Sequence, residues 1–145
     1  MTEPWVIGCF TVAAAGIVHP GPTVGYRIES GGAAIAYLPD HEPILGGPLM
    51  SKEWLSGYAV TRGVDVLIHD GQYTDDEYRQ RVGWGHSSIS QAVQVADLVE
   101  ARELVLIHHD PDHSDELIDE LIATATRSRA GGPVRGASEG MVIEL

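Results

Sequence analysis

Three short, largely apolar runs in this chain each end in histidine and acidic residues. The runs are residues 34–38, which lead to Asp40-His41-Glu42, residues 64–68, which lead to His69-Asp70, and residues 104–107, which lead to His108-His109-Asp110. Apolar runs of this length, bounded by polar residues, are typical of buried β-strands. Open α/β sheets present ligand-binding groups at the carboxyl ends of their strands. The sequence therefore predicts an α/β fold with imidazoles and carboxylates gathered at one sheet edge.

The composition fits one globular domain or a part of one, because 145 residues can bury a core. The 9 basic and 21 acidic residues give a formal charge of −12, which repels nucleic acid at long range. Cys9 is alone, so no intramolecular disulfide can form and we expect a cytoplasmic protein. The apolar run 6–18 follows Glu3 and precedes the first basic residue, Arg27, so it predicts a buried strand and not a signal peptide.

Hydrophobic periodicity and capping residues predict the order of the elements. The predicted strands are residues 5–13, 24–30, 33–38, 64–68, 104–108 and 141–145, with a hairpin turn at Gly31-Gly32. The predicted helices begin after Ser51, covering 52–61, after Thr74, ending near Val82, after Ser87 or Ser88, and after Ser114, with Leu117, Ile118, Leu121 and Ile122 buried. A β-hairpin followed by alternating helices and strands predicts an α/β layered domain.

Most histidines lie in predicted loops or at strand ends. They are His19, His41, His69, His86, His108 and His109, while His113 precedes a helix cap and is expected to be solvated. Each one alone is more simply a surface or capping imidazole. Taken together they favour a metal site, because zinc binds histidine nitrogen and carboxylate oxygen, and paired metals share a bridging carboxylate. Asp40 is the natural bridging candidate, and Asp110 is a candidate to orient a ligand imidazole.

Five segments, taken in order, resemble the C-terminal half of metallo-β-lactamase-fold hydrolases, in the phosphodiesterase branch that includes ribonuclease Z. The segments are residues 19–28, 37–43, 67–70, 85–88 and 104–109. The resemblance implies that residues 1–145 form a single partial domain, the C-terminal half of an αββα sandwich. It also implies a metal-dependent hydrolase that uses two zinc ions in a complete site, with manganese as an alternative.

The same resemblance assigns roles to five residues. His19, Asp40 and His108 match metal ligands, with Asp40 bridging the two ions. Asp70 and His86 match an acid–histidine pair that transfers protons near the scissile phosphate, although the family has the longer glutamate at the position of Asp70. The implied mechanism is attack on phosphorus by a hydroxide that two zinc ions generate, while His86, oriented by Asp70, stabilises charge or protonates the leaving oxygen.

The family's His-x-His-x-Asp-His motif, which supplies four ligands, does not occur in this sequence. What remains gives each metal one histidine and a share of Asp40, fewer than the three protein ligands of a catalytic zinc site. We therefore expect a missing N-terminal half or a partner chain to complete the site, and we expect a homodimer. The alternative is a non-catalytic remnant that acts as a dimerisation or interaction module. An unrelated doubly wound signalling domain would leave the strand-end histidines unexplained.

The interval between His19 and Asp40 limits the substrate. It is 40 − 19 = 21 residues, which one hairpin fills, whereas ribonuclease Z carries a tRNA-gripping arm there. With the acidic charge, this predicts a small phosphodiester or cyclic nucleotide as substrate and argues against nucleic acid and membranes as partners. Trp54, Tyr58 and Trp84 are expected to pack in the core or at its rim.

Overall fold

The computed structural model describes residues 1–45 and 51–145, apart from the side chain of Glu53. Within these residues one seven-stranded sheet follows the chain order. Its strands are β1 (Trp5–Ile7), β2 (Phe10–Ile17), β3 (Thr23–Ser30), β4 (Ala33–Leu38), β5 (Val66–Asp70), β6 (Glu103–Ile107) and β7 (Val134–Gly136). Strands β1 to β4 pair antiparallel, and β4 to β7 pair parallel. The carboxyl ends of β4, β5 and β6 therefore share one edge.

The helices are a 3-10 turn (Lys52–Trp54), α1 (Tyr58–Thr61), α2 (Asp75–Gln80), α3 (Ile89–Leu98) and α4 (Asp115–Ser128). The predicted caps at Thr74 and Ser114 are confirmed, and Thr74 forms a capping box with Glu77. Of the two candidates for α3, Ser88 is the cap. Ser87 is instead buried, and its hydroxyl donates to the carbonyl oxygen of His41.

The hydrophobic core lies between one face of the sheet and the helices. It includes Leu38 from β4, Leu67 from β5 and Leu104 from β6, together with apolar residues of α3. Because strand side chains alternate between faces, the neighbours of these residues point to the opposite face. There, Val24 and Tyr37 remain 41% and 39% exposed. The α/β prediction is confirmed, with the helices covering one face of the sheet.

Two predicted strands differ from the structure. The predicted strand 5–13 is two strands, β1 and β2, because the chain turns at Gly8, whose φ of 61° suits glycine. The predicted strand 141–145 is wrong, since residues 141–145 have no regular structure and β7 lies at Val134–Gly136. Apolar composition alone therefore misplaced the final strand.

The predicted helix 52–61 is interrupted. Gly57 has a left-handed φ of 77°, and a Cβ there would lie 2.9 Å from the Leu38 side chain, so the chain changes direction before α1 begins. Helix α4 is also less buried than predicted. Leu117 is exposed, Ala125 is fully buried, and partial burial is found for Ile118, Leu121 and Ile122.

Several large apolar side chains are exposed. On β1, β2 and the turn between them they are Trp5 (38%), Val6 (71%), Ile7 (59%) and Phe10 (46%). Trp54 and Trp84 are 83% and 61% exposed, so they do not pack in the core, whereas Tyr58 is partly buried against it. Among the helices described here, none has the length and apolar character needed to cross a membrane.

Candidate active site

The five predicted site residues come from separate elements that end at one edge of the sheet. His19 follows β2, Asp40 follows β4, Asp70 ends β5, His86 lies between α2 and α3, and His108 follows β6. The parallel pairing of β4, β5 and β6 aligns three of these chain segments side by side. The register of the sheet is therefore what gathers residues that are far apart in sequence.

The side chains form two overlapping groups. Potential ligand atoms of His19, Asp40 and His86 all lie within 4.8 Å of one another, and so do those of Asp70, His86 and His108. Asp40 Oδ1 lies 3.5 Å from His108 Nε2, and the rings of His86 and His108 are 4.7 Å apart. The structure thus brings all five residues into one cluster, with His86 in both groups.

Asp70 is fully buried and accepts hydrogen bonds through both carboxylate oxygens. Oδ2 accepts from His86 Nδ1 at 2.6 Å and from the His41 amide at 3.2 Å. Oδ1 accepts from the amides of Gln72 and Ser87 at 3.1 and 3.3 Å. Because these donors occupy the carboxylate, Asp70 orients the His86 imidazole, which is the arrangement typical of an acid–histidine pair.

This contact also changes the protonation of His86. The hydrogen bond to Asp70 raises the pKa of His86, burial opposes this, and the charges of Asp70, Asp40 and Glu42 raise it further. The side chain is 15% exposed, so Nε2, the nitrogen that Asp70 does not hold, stays available. Tyr73 packs edge-on against the ring at 6.1 Å and helps to fix its plane. His86 is therefore a fixed imidazole with increased basicity.

His108 lies immediately after β6 and has a positive φ of 61°. A non-glycine residue in this left-handed region stores backbone strain, which is found at functional sites more often than elsewhere. Its side chain is 43% exposed and faces Asp40. The sequence pattern placed His108 at a strand end but carried no signal for this conformation.

His19 is held by its own loop, where Nδ1 accepts a hydrogen bond from the Gly21 amide at 3.1 Å. A neutral imidazole carries one N–H, so this contact leaves the proton on Nε2. Metal binding through Nε2 would require that proton to move to Nδ1 and the Gly21 contact to break. The ligand role predicted for His19 therefore implies a local rearrangement of residues 19–21.

His41 and His69 lie below the cluster and contribute no atom to it, although the sequence pattern counted both among the site histidines. Both are fully buried, and their rings share a hydrogen bond of 2.8 Å. His69 Nδ1 faces the Asp70 carbonyl oxygen at 2.6 Å and must donate, so His69 Nε2 accepts from His41 Nδ1. Burial lowers the pKa of both residues, and His69 lowers that of His41 further. Their lowered pKa values favour the neutral form, and their hydrogen bonds join the chain segments that follow β4 and end β5.

His113 and Asp110 belong to neither group of candidate ligand atoms. His113 is not solvated as expected, because its side chain is 5% exposed and Nε2 lies 3.0 Å from the Glu77 carboxylate. Burial alone would raise the pKa of Glu77, but hydrogen bonds from His113 and Thr74 outweigh it and lower this pKa to about 2. Asp110 accepts from the Asp112 amide in its own turn. The carboxylate that orients an imidazole here is Asp70.

The cluster fits a divalent metal in its chemistry. Imidazole nitrogen and carboxylate oxygen are the donors that zinc takes, at about 2.0–2.2 Å from the ion, so two ligands of one ion lie at most about 4.4 Å apart. Ligand atoms of His19 and Asp40 lie within 4.8 Å of each other, and Asp40 Oδ1 lies 3.5 Å from His108 Nε2, so small movements bring these pairs into range. Asp70 fits less well, because its oxygens are already engaged.

A family model described as "Beta-lactamase superfamily domain" matches residues 6–109, which include every residue of the cluster. The chain belongs to this superfamily. It is also 36% identical over 88 residues to a ribonuclease Z of Myxococcus xanthus. That match takes in 58% of this chain and 27% of the relative, so the chain spans only about a quarter of that protein's length. Membership of this superfamily confirms the resemblance of the sequence to metallo-β-lactamase-fold hydrolases.

Two solved structures share the fold. The metallo-β-lactamase fold protein YhfI from Bacillus subtilis superposes with a TM-score of 0.76 at 22% identity, covering 96% of this chain and 51% of that one. The short form of human tRNase Z gives a TM-score of 0.68 at 23% identity, covering 97% of this chain and 45% of that one. The chain therefore spans about half of each related structure.

Proposed function

We propose that this chain carries the C-terminal part of a metal-dependent phosphodiesterase site, with His86 as proton donor and Asp70 as the residue that orients it. The 2.6 Å hydrogen bond between Asp70 and His86, beside the candidate ligand side chains of His19, Asp40 and His108, is the observation that carries the proposal. An oriented imidazole next to a cation site can protonate the leaving oxygen while the cation stabilises charge on the phosphate.

His19, Asp40 and His108 are the residues proposed to hold zinc, or manganese, with Asp40 shared between two ions. Their donor atoms suit these cations, and Asp40 lies 3.5 Å from His108. A bound divalent cation would supply Lewis-acid polarisation of the phosphate oxygens and a water of lowered pKa. The remaining ligands are proposed to come from another segment or chain, because these three residues do not fill two coordination shells.

The residues of this chain have defined tasks in the proposed reaction. Asp70 keeps the Nδ1 proton of His86 and so directs Nε2 away from itself, toward the substrate. The raised pKa of His86 keeps its imidazolium form populated closer to neutral pH. His86 Nε2 can then donate its proton to the oxygen that leaves phosphorus, so that the alcohol departs neutral.

We propose a small phosphodiester as substrate, with RNA as the second candidate. The short interval between His19 and Asp40 and the charge of −12 support the small substrate. The similarity to a protein named ribonuclease Z favours RNA. Arg81 is a cation that could interact with the phosphate of either substrate. Its guanidinium lies 5.0 Å from the ring of Tyr73, and Tyr73 packs on His86.

The test is zinc content by elemental analysis after dialysis against trace zinc, together with hydrolysis of bis(4-nitrophenyl) phosphate and of a short RNA. Asp40→Asn should lower zinc content, whereas Asp119→Asn, an exposed carboxylate on α4, should leave it unchanged. Hydrolysis of the small ester alone supports the first substrate class, and cleavage of RNA supports the second. Zinc content that Asp40→Asn leaves unchanged would contradict the assigned ligands.

The second candidate function is a dimerisation or interaction module without catalysis. The exposed apolar side chains of β1 and β2, among them Val6 at 71% and Ile7 at 59%, favour it. Sedimentation equilibrium of the chain and of a Val6→Lys/Ile7→Lys variant tests it. A homodimer that the double substitution dissociates, without bound zinc or hydrolysis, would establish the module and exclude the phosphodiesterase for this chain.

A further inference from the structure

Glu42 is a fully buried carboxylate that lies two residues after Asp40. Its Oε1 accepts hydrogen bonds from the Tyr78 hydroxyl and the Gly83 amide, both at 2.8 Å. Its Oε2 accepts from the Gly83 amide at 3.1 Å and from the Gly85 amide at 2.9 Å. One side chain from the Asp40 segment is thus bonded to the segment that leads into His86.

A buried carboxylate is unfavourable unless donors replace the water that it loses. Here a phenol hydroxyl and two amides supply those donors, and hydrogen bonds to a charged acceptor are the stronger kind. Tyr78 belongs to α2, and Gly83 and Gly85 lie between α2 and α3. The contacts therefore bind the segment that carries Asp40 both to α2 and to the loop that follows it.

The glycines adapt the loop to this carboxylate. Gly83 and Gly85 have positive φ angles of 87° and 98°, which favour glycine and turn both amides toward Glu42. A Cβ on Gly85 would lie 2.3 Å from the His19 ring, so the loop also packs directly on a candidate metal ligand. The Gly85 backbone is thus hydrogen-bonded to Glu42 and in close contact with His19.

We propose that Glu42 is a positioning residue that ties the loop of residues 83–86 to the segment carrying Asp40, and so fixes His86 relative to the candidate metal ligands. The inference rests on the proposed function for its effect on catalysis. Its structural part, the position of the His86 ring, stands independently of activity. Asp70 fixes the direction of the ring, and Glu42 fixes the backbone that bears it.

Glu42→Gln tests the proposal, because it replaces one accepting carboxylate oxygen by an amide nitrogen. That nitrogen cannot accept a hydrogen bond from the donors that face it. Glu77→Gln is the matched control, since Glu77 also accepts a hydrogen bond from a backbone amide, that of Thr74, at 2.7 Å. Among the described residues its hydrogen-bond partners are Thr74 and His113, not the 83–86 loop. We expect Glu42→Gln to lose the low-field NMR signal of the His86 Nδ1 proton and the protection of the Gly83 and Gly85 amides from hydrogen exchange. Glu77→Gln should retain both.

The kinetic consequence is measured with bis(4-nitrophenyl) phosphate on zinc-loaded protein. Misplacing a catalytic group by about 1 Å costs on the order of 100-fold, so Glu42→Gln should lower kcat by about that factor and change KM little. Zinc content should match that of the unaltered chain. If the zinc-loaded protein hydrolyses nothing even when the missing segment or partner chain is supplied, the proposed function fails. The His86 NMR signal still decides the role of Glu42 in that case.

The outcomes are distinguishable. Retention of the His86 signal and of Gly83 and Gly85 protection in Glu42→Gln overturns the proposal, as does an equal fall in kcat for Glu77→Gln. If Glu42→Gln does not fold, hydrogen exchange of the unaltered chain decides. Gly83 and Gly85 amides as protected as those of β5 support the proposal, and amides that exchange at the rate of an open loop overturn it.

Discussion

The Asp70 carboxylate and the His86 imidazole, 16 residues apart in sequence, are joined by a 2.6 Å hydrogen bond at the carboxyl edge of the sheet. Asp70 is completely buried while the His86 side chain keeps 15% exposure, so the acid is sealed and the imidazole remains accessible. This arrangement suits the general acid role proposed for His86, because a proton donor must be within hydrogen-bond reach of the substrate.

Replacing His86 by alanine should lower turnover of a zinc-loaded, complete enzyme by about 10²- to 10⁴-fold, the range for loss of a general acid. Zinc content should stay the same, because the ligand roles are proposed for His19, Asp40 and His108. The measurement is kcat for bis(4-nitrophenyl) phosphate together with elemental analysis. Loss of zinc in this variant would make His86 a ligand, which its place in both clusters of ligand atoms also allows.

Asp70→Asn should lower the pKa of His86, because it removes the hydrogen bond and the charge that raise it. It should also reduce the free energy of unfolding by about 1–3 kcal/mol, since an amide cannot accept all of the buried donors that face Asp70. An NMR titration of the His86 ring and urea denaturation measure the two effects. Asp110→Asn is the control. An equal change in the pKa of His86 in that variant would indicate that Asp110 also orients the imidazole.

The buried pair His41 and His69 predicts that acid destabilises the protein. Burial lowers the folded-state pKa of both below 6.5, so below about pH 6.5 the unfolded chain binds more protons than the folded chain. The free energy of unfolding should therefore fall as pH decreases from about 7.5 to 5.5, by up to about 1.4 kcal/mol per pH unit for each group.

His86 contributes with the opposite sign, because its raised pKa stabilises the folded chain at low pH and this stabilisation is lost as pH rises through the folded-state value. Urea denaturation across the same pH range should therefore show a steeper loss of stability in His86→Ala than in the unaltered chain. A flat profile for the unaltered chain, or equal slopes for the two proteins, would contradict these assignments.

Leu106→Ala should destabilise the fold by about 2–5 kcal/mol, as expected for a large-to-small change at a fully buried position. Leu106 packs in the core between the sheet and the helices, and a Cβ on Gly71 would lie only 2.7 Å from its side chain. Val142→Ala is the control, because Val142 is 79% exposed and its change should be within about 0.5 kcal/mol. Chemical denaturation measures both, and equal stabilities would refute the assignment of the core.

Local signals in the sequence were sufficient for much of the fold. The caps Thr74, Ser88 and Ser114 lie where helices begin, because capping depends on a few neighbouring residues. The strand that includes Leu104 was evident from its apolar run. The prediction for residues 5–13 failed because an apolar stretch does not reveal a turn such as that at Gly8. The prediction for residues 141–145 failed because an apolar stretch does not show whether a neighbouring strand is there to pair with it.

The site shows the same division between local and long-range information. The sequence placed His19, Asp40, Asp70, His86 and His108 at loop and strand ends, and the structure brings them together. The local pattern alone does not separate them from His41 and His69, which also follow apolar runs, and the selection of five came from the family resemblance. His69 shares the core face of β5 with Leu67, because strand side chains alternate, and it is buried there against His41.

The sequence by itself therefore determined the α/β class, the starts of α2, α3 and α4, and the chemical types available at the sheet edge. Only the tertiary structure decided which histidines are buried and that the Glu42 carboxylate accepts hydrogen bonds from the loop before His86. The physical reason is range. Caps and periodicity depend on residues within a few positions, whereas the contacts of the site join residues 16 to 68 positions apart, which the register of the sheet brings together.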